Sequence, residues 1–254
     1  MICILLAGGK GTRLLSELPK PLVEIEGTPM VVHVYREVKK ALGDVPFCCV
    51  IPPGSQDVFS RAFGAENHIT FATQPQPLGP AHALLCGLQQ LDLQQPSHSD
   101  ALVMYADLVC VSSATLSELV GFYRKQRADM VLLSGKTPRQ YPYALLHRSP
   151  QGALTAVEEK GIPRTPAPWE YAIGPLVLKS KQALQDLQTL QPTPPLEEVY
   201  MADLANRWIT AGRKVDAVAT RNENEFLGVN TPADLEEAAG ILRERANQEG
   251  DPKR

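Results

Sequence analysis

The stretch ICILLAGGKGTRL (residues 2–14) joins an uninterrupted apolar run to a glycine-rich, basic loop. The run ICILLA is short and wholly apolar, which predicts a β-strand buried on both faces. In an open parallel sheet, ligands bind beyond the carboxyl ends of the strands, where this loop would lie. The glycines let the backbone curl around an anion, and Lys10 and Arg13 add positive charge. We therefore expect a phosphate-binding loop on an α/β sheet.

Two common phosphate-binding loops do not fit this stretch. A Walker A loop has Ser or Thr directly after its lysine, whereas Gly11 follows Lys10 here. A dinucleotide fingerprint needs a third glycine, and Leu14 stands in its place, which also argues against an NAD-dependent dehydrogenase. A glycine turn with solvated basic side chains remains the purely structural alternative.

Composition excludes several classes of protein. The chain has 254 residues, of which 44% are hydrophobic, and this suffices for one α/β domain. Its net charge of -3 argues against a nucleic-acid-binding surface, and no apolar stretch approaches the ~18 residues of a membrane span. The five cysteines form no C-x-x-C pair, as expected of reduced thiols. We expect a cytoplasmic protein, a monomer or small homo-oligomer, without nucleic-acid or membrane partners.

The first half of the chain alternates buried strands with helices. Strands are predicted at 2–7, 47–51, 68–73, 101–109 and 129–135, and helices at 30–42, 55–63, 80–91 and 113–126. This alternation predicts a Rossmann-like, three-layer α/β/α fold with a mostly parallel mixed sheet.

From about residue 136, strand-like segments with short connections predict an antiparallel extension of the sheet. The segment EFLGVN (225–230) is predicted as a further strand. Thr231 and Pro232 predict the start of a last helix that runs to about residue 247. We therefore predict a single domain over 1–247 and a frayed tail over 248–254.

Further motifs follow the opening loop in order. They are Pro19-Lys20, QPQPLGPAHAL (74–84), YADLV (105–109), AVEEK (156–160), EEVYMADL (197–204) and GVNT (228–231). Together the motifs resemble those of the nucleoside-triphosphate transferase family, specifically the sugar-1-phosphate nucleotidylyltransferases. Within that family the chain is similar to the pyrophosphorylase domain of the bifunctional N-acetylglucosamine-1-phosphate uridylyltransferases. We expect no acetyltransferase domain, because the chain ends soon after its predicted last helix.

The resemblance implies a magnesium-dependent enzyme. A nucleoside monophosphate would pass from a nucleoside triphosphate to a small phosphorylated acceptor, and pyrophosphate would leave. Arg13 and Lys20 would be the catalytic cations, and Asp107 and Asn230 would hold Mg²⁺. The nucleotide-binding half would cover about 1–135, the acceptor-binding half about 136–230 and the C-terminal helix about 231–247.

The nucleotide site implied by the resemblance comprises Leu6, Ala7, Gly8, Gly9, Lys10, Gly11, Thr12, Gln74, Gly79 and Pro80. The amide of Gln74 can pair with a pyrimidine edge, so UTP or another pyrimidine triphosphate is the expected donor. We interpret His82 as a packed helix residue, since an ionised phosphate acceptor needs no general base.

The acceptor site implied by the resemblance comprises Tyr141, Tyr143, Glu158, Lys160 and Ala172. Here the chain departs from the family pattern. Tyr-Pro-Tyr replaces Tyr-Gly-Arg at 141–143, and Ala-Ile-Gly replaces Asn-Thr-Gly at 172–174, which removes an amide expected to bind a sugar.

We infer that the acceptor has changed. A sugar 1-phosphate is the first expectation, and a cyclitol phosphate, a small phosphonate or a phosphocholine-like group are alternatives. Two other functions stay open: a cytidylyltransferase for a non-sugar phosphate or phosphonate, and a non-catalytic regulatory module that binds nucleotide.

Overall fold

A mixed β-sheet with helices on both faces forms the centre of the protein. The computed structural model describes residues 1–9, 14, 18–64, 69–192 and 197–249. The strands are β1 (Ile2–Leu6), β2 (Glu24–Ile25), β3 (Thr28–Pro29), β4 (Phe47–Ile51), β5 (Ile69–Thr73), β6 (Asp100–Tyr105), β7 (Met130–Thr137), β8 (Ala144–Arg148), β9 (Leu154–Glu158), β10 (Trp169–Lys179) and β11 (Val215–Thr220). The helices are α1 (Met30–Leu42), α2 (Gln56–Phe63), α3 (Pro80–Gln89), α4 (Ser113–Gln126), α5 (Ser180–Leu187), α6 (Met201–Thr210) and α7 (Pro232–Glu249).

The main sheet has the strand order β11-β7-β10-β6-β1-β4-β5, and β8 and β9 extend it from β10. Within the described residues, β9 and β10 run opposite to the other strands of this sheet. Strands β2 and β3 form a separate hairpin. The predicted fold class, a mostly parallel α/β/α sheet, is confirmed.

Strand β1 is buried on both faces, as its apolar run predicts. Cys3 and Leu5 face the core under α1, α2, α4 and α7, whereas Ile4 faces the core under α3, α5 and α6. None of the helices in the described ranges is long and apolar enough to cross a membrane.

The predicted strand at 225–230 is wrong. Residues Glu223–Phe226 form a 3₁₀ turn instead. The carboxylate of Glu225 is fully buried and accepts hydrogen bonds from Ser112, Thr115 and Thr220 at 2.6–3.0 Å. These bonds to a buried charge hold the segment in a turn that strand propensity does not anticipate.

The last helix starts where predicted and ends later. The Asp234 amide donates to Thr231 Oγ1 at 3.2 Å, and Asp234 Oδ2 accepts the amides of Asn230 and Thr231 at 2.8 Å. This reciprocal cap confirms the predicted helix start. Because α7 runs to Glu249, residues 248 and 249 are helical rather than part of a tail. Residues 250–254 lie outside the described part of the chain.

Candidate active site

The candidate site lies at the carboxyl ends of β1 and β6. These strands are parallel neighbours, with Leu6 opposite Tyr105, so the residues that follow both of them meet at one edge. The amide of Ala106 donates to Leu6 O at 3.1 Å, which continues the pairing toward Asp107. Strand β10 runs in the opposite direction, so its first half, with Ala172 and Gly174, returns to the same edge.

Three predicted residues meet at this edge. Lys20 begins a 3₁₀ turn and is only 9% exposed. Its Nζ donates to Asp107 Oδ2 at 2.6 Å and to Asn230 Oδ1 at 2.9 Å. The sequence separates Lys20 from these two partners by 87 and 210 residues, so only the fold brings them together.

Contacts with the backbone fix the two side-chain oxygens that accept hydrogen bonds from Lys20. Val229 N donates to Asp107 O at 3.0 Å, which ties the two segments together. Asn230 Nδ2 donates to Gly228 O at 2.9 Å, so the amide oxygen faces the ammonium group. A carboxylate and an amide oxygen therefore converge on one positive charge. This donor set suits a hard cation such as Mg²⁺, which takes one or two protein oxygens and completes its octahedron with phosphate and water.

A cavity of about 260 Å³ opens beside this cluster. Lys20 and Asp107 form one wall of this cavity. Its lining also includes Leu6, Gly8, Gly9, Gln74, Gly79 and Pro80, all members of the predicted nucleotide set. Ala7 is buried beneath the loop. Lys10, Gly11, Thr12 and Arg13 lie outside the described residues.

Gln74 is held in a defined position in the cavity wall. It is 8% exposed, and its Nε2 donates to Gly79 O at 3.0 Å. The same nitrogen lies 3.2 Å from His82 Nδ1, which accepts the hydrogen bond if the imidazole proton is on Nε2. A Cβ on Gly8 would come within 2.7 Å of Gln74 Oε1, so glycine at position 8 leaves room for this amide. His82 therefore positions Gln74, a role that the helical pattern alone did not indicate.

Glycine at position 79 lets the backbone of Val199 come close to the backbone of Gly79. Its φ is +95°, and a Cβ there would lie 2.6 Å from Val199 O. Val199 N donates to Leu78 O at 2.9 Å, and Ala81 N donates to Val199 O at 3.0 Å. This contact brings Glu198 to the first cavity and Tyr200 to a second one.

The second cavity, of about 220 Å³, shares Pro80, Tyr105 and Asp107 with the first. Tyr143 and Ala172, both predicted acceptor residues, line it together with Asn230. The ring of Tyr141 lies against Tyr143, with ring centroids 5.7 Å apart and planes 3° from parallel. The structure thus places Tyr141 behind the lining rather than in it.

Glu158 and Lys160 lie outside the described lining of the second cavity. Glu158 Oε2 is 2.8 Å from His147 Nε2, and Lys160 Nζ donates to the Tyr200 hydroxyl at 3.3 Å. Glu159 lines the cavity instead. Strand β9 ends at Glu158, so the alternation of side chains along the strand does not extend to Glu159. The doubled glutamate in AVEEK was the signal for a second candidate carboxylate.

Similarity to known proteins extends over nearly the whole chain. The model of the MobA-like NTP transferase domain matches residues 3–167, which include the opening loop, Gln74 and Asp107. The Bifunctional protein GlmU of Syntrophotalea carbinolica is 30% identical over 249 residues, covering 98% of this chain and 52% of the relative.

Two further relatives carry the same printed name. The protein from Trichlorobacter lovleyi is 30% identical over 251 residues, and that from Streptococcus pyogenes serotype M3 is 29% identical over 247 residues. Each alignment covers 96% of this chain and 52% of the relative, so the chain spans about half the length of the curated relatives it matches. The predicted resemblance is confirmed: the chain belongs to the family of MobA-like NTP transferase domains.

Proposed function

We propose that this protein is a Mg²⁺-dependent nucleotidyltransferase that joins a nucleoside monophosphate to a small phosphorylated acceptor and releases pyrophosphate. The observation that carries the proposal is the cluster of Lys20, Asp107 and Asn230 beside two adjoining cavities. The first cavity would hold the nucleoside triphosphate and the second the acceptor. The reacting phosphates would then meet at Asp107, which lines both cavities.

The reaction requires alignment and charge neutralisation more than covalent chemistry. An acceptor phosphate oxygen attacks the α-phosphorus, the bond from that phosphorus to the bridging oxygen of the β-phosphate breaks, and pyrophosphate leaves. The acceptor oxygen is already ionised, so no general base is needed. Lys20, together with Arg13, would grip the triphosphate and stabilise the charge on the departing pyrophosphate.

The oxygens of Asp107 and Asn230 would hold Mg²⁺, with phosphate oxygens and water as its remaining ligands. When bound, the ion supplies positive charge to the phosphates at the point where the two cavities adjoin. The ammonium group of Lys20 lies where these two oxygens converge, so Lys20 would turn from them to the triphosphate when the ion binds.

A pyrimidine triphosphate, with UTP first, is the proposed donor. Gln74 is buried in the wall of the first cavity, and because its two Nε2 hydrogens point to Gly79 O and His82 Nδ1, its Oε1 would accept from an N–H group on a pyrimidine edge. Its hydrogen bonds to Gly79 and His82 limit the orientations that the amide can adopt.

A sugar 1-phosphate is the first candidate acceptor on the basis of the family resemblance. The apolar character of the second cavity, with Ala172, Ala202 and Leu176 in its lining, favours the second candidate. That candidate is a cytidylyltransferase acting on a non-sugar phosphate or phosphonate.

The test is pyrophosphate release with Mg²⁺ across ATP, CTP, GTP, UTP and dTTP, each against sugar 1-phosphates, phosphocholine and aminoethylphosphonate. We expect release that requires one pyrimidine triphosphate and one acceptor. Omission of Mg²⁺ should abolish it. Tight triphosphate binding without release for any acceptor would instead support the regulatory module.

A further inference from the structure

Glu159 places a carboxylate in the lining of the second cavity. Its side chain is half-buried, and among the described residues it makes no hydrogen bond or ion pair. Burial raises the pKa of Glu159 above its ordinary value, although Lys160 acts in the opposite direction. A carboxylate that is partly removed from water is stabilised by a nearby positive charge. A cationic group on a ligand would supply that partner.

Three tyrosine rings line the same cavity: Tyr105, Tyr143 and Tyr200. The faces of aromatic rings attract cations, and rings around a cavity are suited to substituted ammonium groups. Tyr200 already makes such a contact within the protein, because Lys160 Nζ lies 5.3 Å from its ring centroid. The cavity therefore combines aromatic surface with a carboxylate, as a site for an organic cation requires.

The rest of the described lining is poor in polar side chains. Asp107 and Asn230 are engaged by Lys20, and the Tyr143 hydroxyl donates to Phe226 O at 2.5 Å. A neutral acceptor with several hydroxyl groups would lose hydrogen bonds to water that few of these side chains can replace. A methylated ammonium group is covered by methyl groups. It therefore gives up no hydrogen bonds to water when it lies against an apolar side chain such as Leu176.

The charges around the cavity are arranged in two regions. Lys20 carries positive charge at the edge shared with the first cavity. Around Glu159, the carboxylates of Glu198 and Asp203 add negative charge, and Lys160 is the opposing cation. An acceptor with a phosphate at one end and an ammonium group at the other matches this arrangement.

We propose that the second cavity selects a phosphorylated acceptor that carries a positively charged ammonium group. Glu159, Tyr105 and Tyr200 bind the ammonium group, and the phosphate faces Lys20 and Asp107. This inference rests on the proposed function, because it assigns the acceptor of the same reaction. A choline-like phosphate and an amino sugar phosphate both carry such a group, and matched ligands distinguish these two sources.

Two matched ligand pairs test the charge requirement. Phosphocholine is compared with 3,3-dimethylbutyl phosphate, which has the same shape without the charge. Glucosamine 1-phosphate is compared with N-acetylglucosamine 1-phosphate, in which the amine is neutral. Binding of each is measured by calorimetry with Mg²⁺ and the α,β-methylene analogues of UTP and CTP, and pyrophosphate release is measured separately with UTP and CTP. We expect the charged member of one pair to bind about tenfold more tightly than its neutral partner.

Carboxylate variants locate the effect. Glu159→Gln keeps the size of the side chain and should remove the tenfold preference in binding and in kcat/KM. Glu118→Gln changes an exposed glutamate on α4, and this variant should keep the preference. Tyr200→Leu should weaken binding of the charged ligand and leave binding of its neutral partner nearly unchanged.

Several results would overturn the inference. These are equal binding within both pairs, no binding of either charged ligand, persistence of the preference in Glu159→Gln, or its loss in Glu158→Gln in place of Glu159→Gln. Pyrophosphate release with neutral acceptors alone would also overturn it while supporting nucleotidyl transfer. Charge-selective binding without release for any acceptor would do the reverse: the inference about the cavity would hold and the proposed reaction would fail.

Discussion

Lys20 is the residue on which the candidate site depends. Its ammonium group is nearly buried, and burial of a lone charge costs several kcal/mol unless it is paired. Asp107 and Asn230 offset that cost with contacts of 2.6 and 2.9 Å. The same oxygens are the proposed ligands of Mg²⁺. Position, charge and hydrogen bonding at these three residues are therefore coupled.

Asp107→Asn should remove the negative charge while keeping the shape of the side chain. We expect pyrophosphate release to fall at least about 100-fold, because charge neutralisation at the phosphates is lost. Steady-state kinetics over a range of Mg²⁺ concentrations measures this. Asp57→Asn, at an exposed position on α2, is the matched control. Near-normal turnover in Asp107→Asn would contradict the role of Asp107.

His82 acts on the nucleotide through Gln74. His82→Phe keeps a ring on α3 but removes the acceptor for Gln74 Nε2. The loss of one such hydrogen bond is worth about 1 kcal/mol, so KM for the triphosphate should rise about fivefold while kcat changes little. Discrimination between pyrimidine and purine triphosphates should decline as well.

His33→Phe is the control for this variant. It also removes a hydrogen bond, that from His33 Nε2 to Ile25 O at 2.9 Å, but outside the described lining of both cavities. A KM effect of equal size in both variants would show that His82 acts only through stability.

At the scale of elements, strand β7 supports the site because Gly135 on this strand has no side chain. The ring of Phe226 packs directly over Gly135, where a Cβ would overlap it. Phe226 also accepts the hydrogen bond from the Tyr143 hydroxyl and precedes the segment that carries Asn230. The packing of β7 thus determines where two residues of the second cavity lie.

Gly135→Ala should force Phe226 out of place. We expect a loss of about 2 kcal/mol in the free energy of unfolding, as for overpacked cores, and a lower kcat/KM for the acceptor. Gly121→Ala is the control, since Gly121 is exposed on α4 and a Cβ there has no neighbour within 4 Å. That variant should gain about 0.5–1 kcal/mol from helix propensity. Urea unfolding of both proteins measures the difference, and equal stability would contradict the packing argument.

At the scale of the whole molecule, an ion-pair network joins the antiparallel extension to the parallel sheet. Arg148 on β8 donates to both oxygens of Glu170 on β10, at 2.7 and 2.9 Å, and to Asp216 on β11 at 3.0 Å. Burial alone would raise the pKa of Glu170, but hydrogen bonds from Arg148 and Ser134 outweigh burial and hold it below its ordinary value. The part of this stabilisation that Glu170 contributes therefore depends on its ionised form.

The pH dependence of stability should reveal this contribution. A carboxyl group whose pKa is lowered by folding stabilises the native state above its ordinary pKa, and the effect disappears as pH falls through the lowered value. Glu170→Gln should lose about 2 kcal/mol at neutral pH, and the gap to the unmodified protein should close in acid. Urea midpoints from about pH 7 to about pH 3 measure the gap. A gap that is constant with pH would exclude the ionised network as its source.

The sequence by itself determined the layered sheet and the order of most strands and helices along the chain. Uninterrupted apolar runs such as ICILLA predict strands buried on both faces, and helical periodicity predicts the covering layers. The resemblance of the ordered motifs to the nucleoside-triphosphate transferase family selected Lys20, Asp107 and Asn230, which the structure brings within hydrogen-bonding distance. Local patterns suffice for the strands and helices because periodicity reports burial directly.

Only the tertiary structure decided which side chains face the second cavity. The direction of Glu159 depends on the turn after β9, where strand alternation ends. The pairing of His82 with Gln74 depends on the docking of α3 beside the first cavity. The turn at Glu223–Phe226 depends on the hydroxyl groups that meet the buried Glu225. The bonds from Ser112 and Thr115 to Glu225 join segments more than 100 residues apart. The other two arrangements are short in sequence, but they also form only when the chain has packed, so none of these energies exists before folding.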